Sequence, residues 1–401
     1  MIELSDVEDA SRRLSGTIRP TPAIHARGLS DLANREVWVK PEHFQRTGSF
    51  KIRGAYNFLA LHATTITNNE VVAGSAGNHA QGVALAASLC GMRSTIYMPI
   101  GASLPKLEAT RAYGAKVILG GDSVDTCIEA AREHAAKQHA IYVPPFDDPD
   151  VIAGQGTIGL ELLEEAPRGE VVVVPVGGGG LISGIAAAIK ASKSSAKVIG
   201  VEAQGATAML AALSAGAPVA LETLDTMADG IALHSVSQLT LDHVREYVDE
   251  IVTVEEEEIS RAVLVLLERQ KWVVEPAGAV GLAAVLAGKI PGSERVVVVL
   301  SGGNIDPLLL TRLIEHGLSA AGRYIMVRVV LDDKPGSLAQ LTATVASLGL
   351  NVLSVEHHRS GRLIGMHEVE VYLTVETSDP SHRDGIVPAL VARGFRAEAM
   401  R

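Results

Sequence analysis

The sequence predicts an α/β protein with parallel sheets and helices on both faces, followed by a smaller domain of mixed strands and helices. The first observation is that short apolar strands alternate with helical segments from Val71 to Leu300, without hairpin turn signals between them. The second is that the pattern changes after Gly322, where strands of alternating apolar and polar residues begin. At 401 residues the chain is long enough for this division into domains.

Two elements precede the regular alternation. Ser5-Asp6-Val7-Glu8 is typical of a capping box and predicts a first helix with Val7, Ala10 and Leu14 on its buried face. Glu36 to Lys40 form a short predicted strand.

The alternating region follows. Its predicted strands are 71–73, 94–98, 116–119, 140–143, 171–176, 197–202 and 295–300, and its predicted helices are 78–89, 105–113, 124–136, 181–191 and 206–215. The charge run Glu255 to Glu258 indicates the acidic first turn of a helix that continues through Leu267. Val171 to Ile189 carries no charge, but Pro175 and four glycines divide it into strand, turn and helix, so we expect no membrane span.

The carboxyl-terminal region has its own pattern. Apolar residues alternate in two predicted strands, near 325–331 and 369–375, and recur at helical spacing from Leu338 to Leu348. With a further strand at 352–356 and a helix near 385–393, the order is β-α-β-β-α-β, the ferredoxin-like split unit. We expect it to form a separate domain over residues 324–401.

Composition excludes several classes of function. Acidic residues outnumber basic ones by 46 to 35, and a net charge of -11 argues against a nucleic-acid or anionic-membrane partner. Cys90 and Cys127 form no disulfide framework, and the amino terminus lacks an apolar signal core, so we expect a cytoplasmic protein. The sequence contains neither a His/Cys metal cluster nor the G-x-S-x-G elbow of serine hydrolases.

One lysine lies where a loop enters a helix, in Gly48-Ser49-Phe50-Lys51-Ile52-Arg53-Gly54-Ala55. Because the amino end of a helix carries partial positive charge, a cation is poorly placed there, and a neutral amine is favoured. A neutral lysine amine is a nucleophile that forms Schiff bases with aldehydes. By itself Lys51 is also compatible with an ordinary surface lysine, and an aldehyde cofactor requires a phosphate cradle and a partner for its ring elsewhere.

A glycine run supplies a candidate cradle. Gly177-Gly178-Gly179-Gly180-Leu181 joins a buried strand to a helix, where backbone N–H groups converge on an anion. A tight turn chosen for close packing is the other interpretation. The G-x-G-x-x-G dinucleotide fingerprint fails at Ile182 and Ser183, and the P-loop pattern is absent, which indicates a smaller phosphorylated cofactor.

Two further strand ends carry polar loops. In Ser75-Ala76-Gly77-Asn78-His79, backbone N–H groups are suited to a carboxylate, and the Asn78 amide to a phenolic oxygen, unless Asn78 only caps the helix. His79 is better explained as a packed or solvated histidine than as a catalytic base. Ser301-Gly302-Gly303-Asn304 ends the strand at Leu300 and faces the ligand crevice if it is more than a turn.

Together these motifs resemble the threonine dehydratase (threonine ammonia-lyase) family of fold-type II pyridoxal-phosphate enzymes, over roughly residues 5–318. Asp333-Lys334-Pro335-Gly336-Ser337-Leu338 makes the tail resemble an ACT domain, the small amino-acid-sensing module. The resemblance implies a catalytic domain over residues 1–320, with a smaller subdomain at about 49–145 inserted in it, and an ACT-like regulatory domain over residues 324–401.

The resemblance also implies residue roles around pyridoxal 5′-phosphate. Lys51 would form the Schiff base, and Phe50 would lie against the ring. Asn78 would meet the ring 3′-oxygen, Gly177 to Leu181 would wrap the phosphate, and Ser301 would bond the pyridine nitrogen. A serine there cannot keep that nitrogen strongly protonated, which favours elimination over transamination after Lys51 removes the Cα proton.

The substrate carboxylate would be held by the loop from Ser75 to His79. The segments Glu275-Pro276-Ala277-Gly278 and Ala228-Asp229-Gly230 resemble family stretches near the cofactor. Serine racemases of this family carry a proton-donating serine in the place of Ala76, so dehydration is the expected reaction. The divalent-cation pair of those relatives is matched at Glu202 but not at Ala208, and we expect no metal site.

The expected activity is therefore conversion of L-threonine to 2-oxobutanoate and ammonia, with L-serine giving pyruvate. A 3-hydroxyaspartate dehydratase or serine racemase is the alternative within the fold, and an inactive ACT-based amino-acid sensor is the non-enzyme alternative. We expect a homodimer or homotetramer. The expected effector is a branched-chain amino acid near Lys334 to Leu338 and Asn351, at an interface between paired copies, unless the ACT-like domain serves only oligomerisation.

Overall fold

The computed structural model describes residues 1–63, 69–166, 171–192, 194–292, 295–320, 323–359, 365, 367–377 and 380–400. The chain divides into two compact units, Met1–Pro307 and Leu308–Arg401. The sequence places the domain boundary at 320–324 instead, and those bounds stay a prediction. Within the described ranges, no helix is both long enough and apolar enough to cross a membrane.

The first unit contains the alternating elements. Its helices are α1 (Leu4–Leu14), α2 (Arg27–Ala33), α3 (Lys51–His62), α4 (Asn78–Leu89), α5 (Leu104–Ala112), α6 (Val124–Gln138), α7 (Pro149–Glu165), α8 (Gly180–Ala191), α9 (Ala208–Ala215), α10 (Gln238–Tyr247), α11 (Glu256–Val265) and α12 (Pro276–Leu286). Its strands are β1 (Ile24–His25), β2 (Val37–Lys40), β3 (Glu70–Gly74), β4 (Arg93–Met98), β5 (Lys116–Leu119), β6 (Ile141–Tyr142), β7 (Val171–Pro175), β8 (Lys197–Ala203), β9 (Glu250–Val254) and β10 (Val296–Val299).

As far as the structure describes this unit, its strands form two sheets. One has the order β1-β2-β10-β7-β8-β9, and the other has the order β5-β4-β3-β6. All pairs are parallel except β1 with β2, which pair antiparallel. The valines of β7 and β10 are buried, as expected for parallel strands covered by helices on both faces. The predicted α/β class with parallel sheets is therefore confirmed.

The predicted and observed local structures differ in several places, and the start of α1 and helix α7 are two of them. The capping box of α1 is formed by Glu3 and Asp6 rather than by Ser5 and Glu8, so the helix begins earlier than predicted. Helix α7 was missed because it is buried on most of its surface and lacks an amphipathic pattern. Its start is nevertheless signalled in the sequence, because Asp148 caps the helix and Pro149 occupies its first position.

The second unit contains all but the first residue of α13 (Pro307–Ala320), together with a small sheet. Its remaining elements are β11 (Tyr324–Asp332), α14 (Ser337–Ser347), β12 (Val352–His358), β13 (Glu368–Glu376), α15 (Pro380–Ala392) and β14 (Arg396–Ala399). Among the described residues the strands pair antiparallel in the order β12-β13-β11-β14. This order confirms the predicted β-α-β-β-α-β unit, whose core includes the predicted alternating apolar residues of β11 and β13.

Helix α3 is anchored by a buried cation in its first turn. The guanidinium of Arg53 is inaccessible to solvent and donates to both oxygens of Glu42, at 2.8 and 2.9 Å, and to both oxygens of Glu161, at 2.5 and 2.9 Å. On another side, a Cβ added at Gly82 of α4 would lie 3.1 Å from the carbonyl carbon of Lys51. These contacts fix the position of Lys51, the first residue of α3.

Candidate active site

A cavity of about 230 Å³ lies where strands β3, β7 and β10 end. The carboxyl ends of parallel strands are the usual place for a ligand crevice. The residues predicted from the catalytic motifs all line it: Phe50, Lys51, Ser75, Ala76, Gly77, Asn78, His79, Gly177, Gly178, Gly179, Gly180, Leu181 and Ser301. The structure therefore brings four sequence motifs, up to 250 residues apart, into one site.

Lys51 lines this cavity. Its Nζ donates to the carbonyl oxygen of Pro145 at 2.8 Å and lies 5.2 Å from the centroid of the Phe50 ring. Burial lowers the pKa of Lys51 to about 8, although the nearby Glu275 carboxyl acts in the opposite direction. The sequence analysis explained a neutral Lys51 amine by the partial positive charge at the helix end. In the structure, burial is the main cause of its lowered pKa.

The glycine run surrounds the other side of the cavity. Helix α8 begins at Gly180, and Gly179 has a φ of +89°, a conformation that favours glycine. A Cβ at Gly177 would lie 2.8 Å from the Cα of Ile231, so a side chain is excluded there. Close packing is thus one reason for the glycines, and the positive end of α8 beside the cavity is consistent with the anion site predicted from the sequence.

Asn78 is the first residue of α4 rather than its cap, which is Gly77. Its amide nitrogen donates to Oε1 of Glu275 at 2.5 Å, and its amide oxygen accepts from Nδ2 of Asn304 at 2.7 Å. The interpretation of Asn78 as a helix cap is therefore wrong. The side chain instead crosses the cavity wall between two other motifs.

His79 is packed, as the sequence favoured. Its Nε2 lies 2.9 Å from the carbonyl oxygen of Val143, and burial together with the charge of Lys51 lowers the pKa of His79 to about 3. The ring is therefore neutral at ordinary pH.

The Ser301 turn is bound directly to the loop that precedes Lys51. The N–H of Phe50 donates to the carbonyl oxygen of Ser301 at 3.1 Å, and the N–H of Gly303 donates to the carbonyl oxygen of Gly48 at 2.9 Å. Ser301 is buried, with 5% of its surface exposed. The backbone pairing fixes the position of the Ser301 side chain relative to Lys51.

Glu275 supplies a titratable group within the site. Burial raises the pKa of Glu275 to about 7, and the negative charge of Asp229 acts in the same direction. The sequence analysis named the segment that begins at Glu275 only because it resembles a family stretch near the cofactor.

Sequence reasoning missed several residues that line the cavity, among them Lys106 and Phe146. Lys106 lies in the first turn of α5, the helix that follows strand β4 of the smaller sheet. The rule that identified the Ser75 loop, a strand end followed by a helix start, applies equally to Lys106. Phe146 follows β6 and has no comparable local signal.

Glu202 has a local structural role. Its two carboxylate oxygens accept from the backbone N–H groups of Met209, at 2.8 Å, and Leu210, at 3.0 Å, in the first turn of α9. Burial raises the pKa of Glu202 to about 7. Across the ranges that the structure describes, no group of three or more His, Cys, Asp and Glu side chains is arranged to hold a metal ion.

The predicted effector residues lie in the second unit. Lys334 to Gly336 lie between β11 and α14, Ser337 and Leu338 are the first two residues of α14, and Gly336 caps that helix with a φ of +94°. The Nδ2 of Asn351 donates to Oε2 of Glu376 at 3.2 Å at the start of β12.

Comparison with known proteins gives one result for each part of the chain. A family model described as pyridoxal-phosphate dependent enzyme matches residues 14–302, and the ACT domain model matches residues 325–394. An L-threonine ammonia-lyase of Thermotoga maritima is 47% identical over 395 residues, which cover 98% of each chain.

Two solved structures are similar to more than three quarters of the chain. The processed form of threonine deaminase isoform 2 from Solanum lycopersicum has a TM-score of 0.74 and 36% identity, covering 78% of this chain and 87% of that one. Maize serine racemase has a TM-score of 0.74 and 33% identity, covering 79% of this chain and 98% of that one.

Proposed function

This chain belongs to the pyridoxal-phosphate dependent enzymes and carries a carboxyl-terminal ACT domain, and we propose that it is an L-threonine ammonia-lyase. The reaction converts L-threonine to 2-oxobutanoate and ammonia, and L-serine to pyruvate as a secondary activity. The observation that carries this proposal is the position of Lys51, whose amine has a pKa of about 8 in a cavity shared with the glycine run, Asn78 and Ser301. The Thermotoga maritima relative, similar over nearly its whole length, supports the choice of substrate.

The residues of the cavity fit pyridoxal 5′-phosphate. Lys51 is the amine for its aldehyde, the amino end of α8 with Gly177 to Leu181 suits its phosphate, and the Asn78 amide suits its phenolic oxygen. Ser301 presents a hydroxyl for the ring nitrogen, and Phe50 lies at the cavity wall. When bound, the cofactor supplies an aldehyde and a ring that withdraws electrons from the substrate Cα.

The protein's own contribution is to bind and to move a proton. The loop from Ser75 to His79 binds the substrate carboxylate through backbone N–H groups. Lys51, when neutral, accepts the proton from the substrate Cα, and burial keeps its amine a usable base near neutral pH. Ala76 lines the cavity and has no proton to donate, so reprotonation on the other face is not supported and loss of the β-hydroxyl is favoured.

Turnover assays test this proposal. The purified protein loaded with pyridoxal phosphate is assayed with L-threonine, L-serine and 3-hydroxyaspartate, with chiral analysis of recovered substrate. We expect 2-oxobutanoate from L-threonine as the main product, and a Lys51→Ala variant that loses at least about 1000-fold in kcat, as expected when a covalent and basic group is removed. Preferred turnover of 3-hydroxyaspartate, or net racemisation of serine, would assign the chain to the other activities of the fold.

An inactive amino-acid sensor is the remaining alternative. Borohydride treatment distinguishes such a sensor from the enzyme, because reduction would make the cofactor inseparable from the protein only if Lys51 held it covalently. A protein that binds amino acids through residues 324–401 but takes up no borohydride-reducible cofactor would contradict the enzyme proposal.

We further propose that residues 324–401 form a regulatory ACT domain that binds a branched-chain amino acid. The proposed contacts are Lys334 to Leu338 and Asn351, between paired copies in a homodimer or homotetramer. The ACT match and the positive φ of Gly336, which turns the chain sharply before α14, support this placement. Deletion of residues 324–401 should abolish the response of kcat/KM to isoleucine or valine, and a response that survives the deletion would refute the placement.

We also propose a cytoplasmic location. Cys90 and Cys127 are both free thiols, which suits a reducing compartment. Fractionation of the producing cell, with activity followed in the cytosol and the membrane pellet, tests this location.

A further inference from the structure

An ion pair spans the cavity that the proposed function uses. Nζ of Lys106 and Oδ2 of Asp229 are 2.5 Å apart, and both residues line the cavity. Lys106 lies on α5, between two strands of the smaller sheet, whereas Asp229 lies in the turn Asp229–Ile231, between two strands of the larger sheet. The pair therefore joins the two sheet systems across the site.

The two partners differ in their access to solvent. The side chain of Lys106 is 14% exposed, and that of Asp229 is 59% exposed. A largely buried ammonium group needs an opposite charge or hydrogen-bond acceptors, because burial penalises its charged form. An exposed carboxylate can return to water at little cost. Asp229 is thus the replaceable member of the pair.

Lys106 also lies beside the loop that is suited to the substrate carboxylate. A Cβ added at Gly77 would lie 3.9 Å from Nζ of Lys106. A carboxylate bound on the backbone N–H groups of the Ser75 to His79 turn would therefore lie within reach of this amine. An ammonium group in this position can donate a charge-assisted hydrogen bond to the carboxylate, which is stronger than a bond from a neutral donor.

We propose that Lys106 recognises the α-carboxylate of the amino-acid substrate by exchanging Asp229 for it. The exchange leaves Asp229 as an unpaired negative charge at the cavity, which disfavours substrates with a second carboxylate, such as 3-hydroxyaspartate. The inference rests on the proposed function, because it takes the substrate to be an amino acid held by the Ser75 to His79 turn. It assigns the choice between a neutral and an acidic β-substituent to the electrostatics of Asp229.

The charges of the other cavity groups are consistent with this exchange. Lys106 and Asp229 both act on the buried Glu275 carboxyl, Lys106 lowering its pKa and Asp229 raising it. The other titratable residues that the structure places along the cavity lining are Glu275, Lys51 and the neutral His79. Among these, Lys51 is committed to the cofactor in the proposed function, so Lys106 is the cation that remains for the substrate carboxylate.

Substrate analogues with and without a carboxylate test the first half of the proposal. L-Alanine and L-alaninamide have no β-hydroxyl to eliminate, so their dissociation constants from the cofactor-loaded protein can be read from the cofactor absorption. We expect Lys106→Met to weaken L-alanine about 10- to 100-fold, the range for a charge-assisted hydrogen bond, and L-alaninamide less than about threefold. KM for L-threonine should rise in parallel, with a smaller change in kcat.

Two variants control for indirect effects. Lys106→Arg keeps the charge and should recover most of the discrimination between the acid and the amide. Lys137→Met removes a lysine that pairs with Glu133 on the exposed surface of α6 and should change neither constant. Equal weakening of L-alanine and L-alaninamide by Lys106→Met, with the cofactor bound normally, would overturn the inference.

A charge reversal distinguishes recognition of the carboxylate by Lys106 from a purely structural role of the ion pair. The double variant Lys106→Asp with Asp229→Lys restores an ion pair but moves the cation away from Gly77. If the pair only joins the two sheet systems, this variant should regain L-alanine binding, whereas we expect binding to remain weak. Recovery of the wild-type affinity would overturn the inference.

The second half is tested with Asp229→Asn. We expect kcat/KM for 3-hydroxyaspartate to rise about tenfold relative to that for L-threonine, and an unchanged ratio would refute the selective role of Asp229. The wild-type protein tests the proposed function separately. Absence of L-threonine turnover in the loaded wild type contradicts that function, whereas turnover without any dependence on Lys106 contradicts only this inference.

Discussion

Replacement of Lys51 by methionine should stabilise the cofactor-free protein while it abolishes activity. Burial lowers the pKa of Lys51 from 10.5 to about 8, so the folded state disfavours the charged amine. A shift of about 2.5 units at about 1.4 kcal/mol per unit corresponds to about 3 kcal/mol at pH 7. Because the folded pKa lies below the unfolded one, the unfolded state binds more protons between pH 8 and 10.5, and stability rises with pH across that window. The penalty should fall to about 1 kcal/mol at pH 10.

Urea unfolding at several pH values measures this effect. Both tryptophans, Trp38 and Trp272, lie in the unit Met1–Pro307, so their fluorescence reports the unfolding of that unit. We expect the free energy of unfolding of Lys51→Met to exceed that of the wild type at pH 7, and the difference to shrink by about 2 kcal/mol towards pH 10. The exposed Lys137→Met is the matched control and should show no such dependence. A difference between Lys51→Met and wild type that stays constant from pH 7 to 10 would refute the argument from burial.

Three further predictions concern the glycine run, helix α9 and the Ser301 turn. Gly177→Ala places a Cβ 2.8 Å from the Cα of Ile231 and should weaken cofactor binding at least about tenfold, as measured by equilibrium dialysis. Gly101→Ala is the control and should leave cofactor binding unchanged, because no atom lies near the added Cβ. Glu202→Gln should remove a pH dependence of the free energy of unfolding. Because the pKa of Glu202 is raised, the wild type should lose about 2 to 3 kcal/mol of stability as the pH rises from 5 to 8. A variant whose stability falls equally over that range would contradict this expectation. Ser301→Ala should lower kcat more than it lowers the affinity for the cofactor, with kcat measured by steady-state kinetics and the affinity by dialysis. If Ser301 only packs against its neighbours, the affinity should fall more than kcat.

The sequence predicted the fold and the main loops of the cavity because both depend on local patterns. Strands β3, β7 and β10 are apolar, and each is followed by glycine and polar residues, so their parallel arrangement brings the loops together. The predicted alternation and the ferredoxin-like unit needed only periodicities of two and 3.6 residues. Such patterns mark where an element begins and which face it buries.

The remainder depends on contacts between distant residues. Lys106 and Asp229 are 123 positions apart, and neither has a neighbour pattern that identifies the other. The antiparallel strand β1 has two residues and depends on its pairing with β2. The cause of the lowered pKa of Lys51 is likewise a property of the assembled cavity, which no segment of the chain encodes alone.

Helix α3 shows how one element holds a structural cation and a reactive amine two residues apart. Arg53 forms ion pairs with the carboxylates of Glu42 and Glu161, and these pairs allow the guanidinium to stay charged despite complete burial. Lys51, which lines the cavity, has a neutral carbonyl as its hydrogen-bond partner, and burial raises the pKa of the nearby Glu275 carboxyl to about 7. The carboxylates of Glu42 and Glu161 bind Arg53, whereas the carboxyl that acts on the pKa of Lys51 is that of Glu275. This division allows the start of α3 to be fixed by ion pairs while its first residue remains a nucleophile near neutral pH.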